Sequence, residues 1–77
     1  MDSNNVLVPG FDDEQNDVLK FKLQKIDVLP NGCICSLTGY IDTYNSSFFQ
    51  NQVNKIIACG FVNIIMDCSK ITGVAST

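Results

Sequence analysis

The sequence contains no histidine, no arginine, only two prolines, and no run of apolar residues long enough to cross a bilayer. Each absence closes off a class of chemistry. Without histidine the commonest general base and metal ligand is missing. The four cysteines, Cys33, Cys35, Cys59 and Cys68, do not make up for it, because one C-x-C and two scattered thiols lack the C-x-x-C spacing of a zinc knuckle. Without arginine, five lysines face eight acids for a formal charge of −3, and a net acidic surface is a poor match for a phosphate backbone, so no nucleic-acid partner is expected. A spanning helix needs roughly 20 apolar residues, and the opening MDSNNVLVPGF lacks the basic and apolar regions of a secretory signal. The sequence therefore reads as cytoplasmic, with no membrane partner and with its thiols buried and reduced rather than paired.

What is present suits one small folded domain. Of 77 residues, 45% are hydrophobic and 17% charged, which excludes a disordered chain as well as collagen-like and coiled-coil ones. A chain this short hides only roughly 60–65% of its unfolded surface, so the core is expected to be thin. Residues 1–16 mix Asn, Ser, Asp, Pro and Gly around Val6-Leu7-Val8 and read as a flexible N-terminal arm with an apolar patch able to dock. The domain proper is expected over residues 17–77.

From Leu19 the pattern alternates, with Leu19, Phe21 and Leu23 against Lys20, Lys22 and Gln24, which predicts a strand with one wet face. Pro30-Asn31-Gly32 then supplies the fixed and positive φ values of a tight hairpin. Residues 33–37, apolar on both faces, form the antiparallel partner, and Gly39-Tyr40-Ile41-Asp42-Thr43 ends it. Phe49, Val53, Ile56 and Ile57 recur at helical spacing, Ser47 and Gln50 fit a capping box, several Asn, Ser and Thr residues are candidate N-caps, and Gly60 fits a C′ stop, so a helix of roughly 14 residues is expected from about Asn45. Residues 61–66 are apolar apart from Asn63, which reads as a strand buried on both faces, and Asp67 closes them. Strand, helix and strand at this length predict a right-handed crossover with the two strands parallel and their exits on one edge. A strand that apolar requires cover, and one helix with an arm leaves the fold apparently incomplete at the C-terminus.

At this point the residues resemble a known family. A lysine-bearing first strand, Gly39-Tyr40-Ile41-Asp42 where the family has Gly-Glu-Leu-Asp, an amphipathic helix, an apolar strand ending Met66-Asp67-Cys68-Ser69, and then Val74-Ala75-Ser76-Thr77 are similar to the STAS domain. That domain is the fold of bacterial anti-sigma factor antagonists, of stressosome proteins and of sulfate-transporter tails. The resemblance spans residues 18–77, about the first two thirds of such a domain. It implies an α/β class, with a STAS-like mixed sheet, a βαβ crossover and flanking helices.

The antagonists usually read Asp-Ser-Ser-Gly or Asp-Ser-Thr-Gly after the third strand, and their first serine, at a helix start, is phosphorylated by a cognate anti-sigma kinase. By position that serine is Ser76, which reads either as a phosphoacceptor or as a plain helix cap. The family's preceding aspartate is here Ala75, a departure that bears on kinase recognition. The resemblance also implies that Asp42 borders the partner-binding site, and the crossover places it on the same edge of the sheet as Asp67 and Ser69 and near Ser76, so Asp42, Ser69, Ala75, Ser76 and Thr77 are the expected partner-binding residues. The alternatives are a turn or capping role for Asp42 and a structural role for Asp67 as a strand-end acid, while Ser69, in the polar turn expected after Met66, reads either as another phosphoacceptor or as a structural turn serine.

The implied function is a non-enzymatic, phosphorylation-controlled switch that binds an anti-sigma factor or related serine kinase. The alternative is a non-phosphorylated STAS scaffold in a stressosome-like or transporter-associated assembly. A homodimer is the other partner considered, and no cofactor or metal is called for. An enzymatic reading would pair Asp42 with Asp67 around Mg²⁺, yet only isolated aspartates are visible, with no nucleophile beside a base.

Overall fold

A computed structural model describes residues 3–74. In chain order it contains helix α1 (Ser3–Leu7), a 3₁₀ turn (Phe11–Asp13), strand β1 (Leu19–Ile26), strand β2 (Gly32–Ile41), helix α2 (Ser46–Ala58) and strand β3 (Asn63–Val74). The sheet order is β1-β2-β3, with β1 antiparallel and β3 parallel to the central strand. The mixed sheet and the crossover through α2 are therefore as expected.

One side of this sheet carries the core. Leu19 and Leu23 of β1 and Cys33, Cys35 and Leu37 of β2 are buried together with Val8, Phe11 and Ile56. Phe21 gathers the aromatic contacts, meeting Phe11 and Phe48 edge-on at 5.6 and 5.7 Å and stacking on Phe49 at 6.0 Å. Such pairs add about 0.5–1.5 kcal/mol each beyond the area they bury. Burial pushes the Cys35 thiol up to about 12 and raises that of Cys33, so both stay protonated at neutral pH. Cys59 and Cys68 are exposed, against the expectation that all four are buried.

The N-terminal segment is not a loose arm. Val8 and Phe11 enter the core, and the 7%-exposed Asn4 turns its carboxamide onto the outer edge of β1. Its Nδ2 donates to the Phe21 carbonyl at 3.0 Å, and its Oδ1 accepts from the Leu23 N–H at 2.8 Å. One side chain thus stands in for a neighbouring strand and closes an edge that would otherwise invite pairing. The same segment reaches α2, where Gln52 Nε2 donates to the Phe11 carbonyl at 2.8 Å. Gln52 is consequently buried while Ile57 is 55% exposed, so the inner face of α2 runs through Phe48, Gln52 and Ile56 rather than through Val53 and Ile57.

Other local expectations shift for identifiable reasons. The hairpin is a five-residue loop, 27–31, in which Asn31 alone takes a left-handed φ of 51°, and Gly32 already belongs to β2. Asn45 rather than Ser47 occupies the N-cap position of α2, and Gly60 takes the expected positive φ after its end. Strand β3 is not buried on both faces. It is an edge strand covered on one side only, with Ile64 and Ile71 against the core and Ile65 and Met66 exposed at 48% and 37%.

Two outcomes follow from this packing. Replacing Asn4 by Ala leaves a backbone carbonyl and an N–H of β1 without their partner, so urea denaturation should show a loss of about 1–3 kcal/mol, with faster amide exchange at Leu23. In the native protein at pH 8, a thiol reagent should label Cys59 and Cys68 quickly. Cys33 and Cys35 should react only at the rate of unfolding.

Candidate partner-binding end of the sheet

Strand β2 does not stop before Gly39-Tyr40-Ile41 but runs through Ile41, and Asp42 opens the loop to α2. Gly39 has a φ of 122°, and a Cβ there would collide with the Val18 carbonyl. That carbonyl accepts from the Tyr40 N–H at 3.3 Å, so a glycine is required where β1 begins beside the end of β2. The loop beyond is braced in both directions. Asp42 Oδ1 accepts from the N–H groups of Tyr44 and Asn45 at 2.9 and 3.0 Å, while Asn45 Oδ1 accepts from the Asp42 N–H at 2.9 Å. Asn45 is 2% exposed and also donates from Nδ2 to the Tyr40 carbonyl at 2.8 Å.

The capping role of Asp42 is thus present, and it engages one carboxylate oxygen. The turn also holds Tyr44 out into solvent, 93% exposed, next to the partly exposed Tyr40. Sequence reading missed Asn45 and Tyr44. The D-x-x-N spacing of Asp42 and Asn45 was the available signal, since each side chain can cap the other's backbone.

On β3 the structure separates residues that had been grouped. Ile41 pairs with Val74, so Asp42 lies at the end of the sheet where β3 finishes among the described residues. Ser76, with Ala75 and Thr77, lies outside the described residues. Asp67, by contrast, pairs with Ser36, six residues back along β2 from Asp42, which is about 20 Å at the rise of a strand. Asp67 and Ser69 are neither strand-end nor turn residues but interior positions of β3. The run Asp67-Cys68-Ser69-Lys70 resembled a turn because it is polar, and it stays in the strand because the sheet's second face is open. Asp42 and Asp67 therefore do not form a carboxylate pair.

Two bulges shape β3. The register passes from Ser36↔Asp67 to Thr38↔Lys70, and from Gly39↔Ile71 to Tyr40↔Gly73, so each shift adds one residue to β3. Side chains satisfy the freed groups: Asp67 Oδ1 accepts from the Ser69 N–H at 3.0 Å, and Thr72 Oγ1 donates to the Gly39 carbonyl at 3.0 Å. The hydrogen bonds from Ser69, with the nearby Lys70 ammonium, hold the Asp67 carboxyl below its ordinary value of 3.8.

Comparison with known proteins fits this geometry. The family model of the STAS domain matches residues 21–77, and the chain belongs to that family of protein-interaction domains. No curated protein and no solved structure matches the chain significantly. No helix among the described residues is long and apolar enough to cross a membrane.

Gly39→Ala tests how far this end depends on the close approach of β1. The strained φ and the collision with Val18 should together cost at least about 2 kcal/mol, a fall in melting temperature of roughly 8 °C or more in a domain of this size.

Proposed function

We propose that this chain is an anti-sigma factor antagonist-type switch of the bacterial cytoplasm, a binding module rather than an enzyme. It holds an anti-sigma factor with serine-kinase activity against the end of the sheet that carries Asp42. Phosphorylation of Ser76 releases that partner. The observation that carries the reading is the parallel pairing of Ile41 with Val74, since Ser76 follows only two residues later. Family membership supports it, as does a loop already fixed by Asp42 and Asn45, because a preorganised surface loses little freedom on docking. A phosphate on Ser76 adds about −1.5 to −2 charges, and a surface complementary to the unmodified end no longer matches it.

Ala75, where the family has aspartate, favours a second reading: a non-phosphorylated scaffold in a stressosome-like or transporter-associated assembly. Incubation with the cognate kinase and ATP separates the two. The switch requires a phosphopeptide containing Ser76 and no label on Ser76→Ala, whereas equal labelling of both proteins discards the site. Asp42→Asn keeps an oxygen acceptor for the Tyr44 and Asn45 N–H groups, so its melting temperature should hold while affinity for the kinase falls about tenfold.

A further inference from the structure

The sheet face opposite α2 carries a trough of about 260 Å³ lined by Lys22 and Gln24 from β1, Ser36 and Thr38 from β2, and Asp67, Ser69 and Lys70 from β3. Its floor is the pair of hydroxyls on the central strand. Lys22 and Lys70 wall it, Lys22 paired with Ser36 and Lys70 with Thr38, while Lys20, which pairs with Thr38 from the other side, lies beyond the trough's lining. The outer strands lie two strand spacings apart, about 10 Å, which is the width of an extended chain or a helix.

Charge is distributed unevenly around this face. It bears three lysines, Lys20, Lys22 and Lys70, against Asp67, a net charge of +2. The rest of the described surface carries Lys25 and Lys55 against Asp12, Asp13, Glu14, Asp17, Asp27 and Asp42, a net charge of −4. Among the described residues the only ion pair closer than 4.0 Å is Lys55 with Glu14, so no open-face lysine is held in a close ion pair, and Lys70 alone acts on an acid of that face, Asp67.

The bulge in β3 contributes to the arrangement. In a regular strand Asp67 and Lys70, three residues apart, would face opposite sides. The extra residue between them turns Lys70 onto the same face, where both line the trough. The Ser69 N–H and the Lys70 ammonium keep Asp67 ionised, so the trough's own lining carries Lys22 and Lys70 against one carboxylate, a net charge of +1.

We propose that this open face is a second docking surface, complementary to an acidic segment of a partner polypeptide and distinct from the Asp42 end. It stands independently of the phosphorylation switch. The probe is poly-L-glutamate, added to the ¹⁵N-labelled 77-residue chain at low and at physiological salt. Amide shifts should be confined to Lys20, Lys22, Ser36, Thr38, Ser69 and Lys70, and should weaken as salt rises. The double variant Lys22→Glu with Lys70→Glu, shown to be folded by its melting curve, should lose affinity by at least about tenfold. Lys25→Glu, which lies off the trough, should bind as the parent does. Three results each overturn the proposal: shifts scattered over the surface, equal damage from Lys25→Glu, or a response to pyrophosphate with none to poly-L-glutamate, which would make the trough a small-oxyanion site instead.

Discussion

The parallel ladder between β2 and β3 is the constraint on which the rest of the molecule depends. Parallel strands cannot be joined by a short turn, so α2 must cross over, and a right-handed crossover sets it on one face. That choice leaves the other face open, with Lys22, Ser36 and Asp67 beside the apolar pair Ile34 and Ile65. It also brings the exits of β2 and β3 to one end, where Asp42 and the last described residues of β3 meet. The two candidate surfaces therefore have a single origin.

The core is small, and two polar side chains complete it. Asn4 supplies β1 with the hydrogen bonds of an absent neighbour, and Gln52 ties α2 to the segment that carries Phe11. Aromatic packing around Phe21 then joins β1, α2 and the N-terminal segment into one cluster. With the β1 edge closed by a carboxamide and one face by these rings, the Asp42 end, the open face and the outer edge of β3 remain available to a partner.

Local signals were legible in the sequence. The alternation of Leu19, Phe21 and Leu23, the crossover length, the Gly60 stop and the family resemblance of residues 18–77 all correspond to what the fold contains. Features that depend on partners far along the chain were not legible. Asn4 looks like an arm residue until β1 stands beside it, and Gln52 looks like a wet helix position until the Phe11 carbonyl reaches it. The polar Asp67-Cys68-Ser69-Lys70 run imitates a turn because sequence reading assumed cover on both faces of β3. Asp42 does follow the end of β2, where the strand signals put it, while its bracing by Asn45 and its separation from Asp67, with which it had been grouped on one edge, required the register.

Mapping the kinase contact on the folded chain tests the central claim most directly, by hydrogen exchange with and without the cognate anti-sigma kinase. The account predicts new protection concentrated in residues 40–46 and at the end of β3, with the loop at 27–31 unchanged. Protection at 27–31, at the opposite end of the sheet, with none around Asp42, would contradict it.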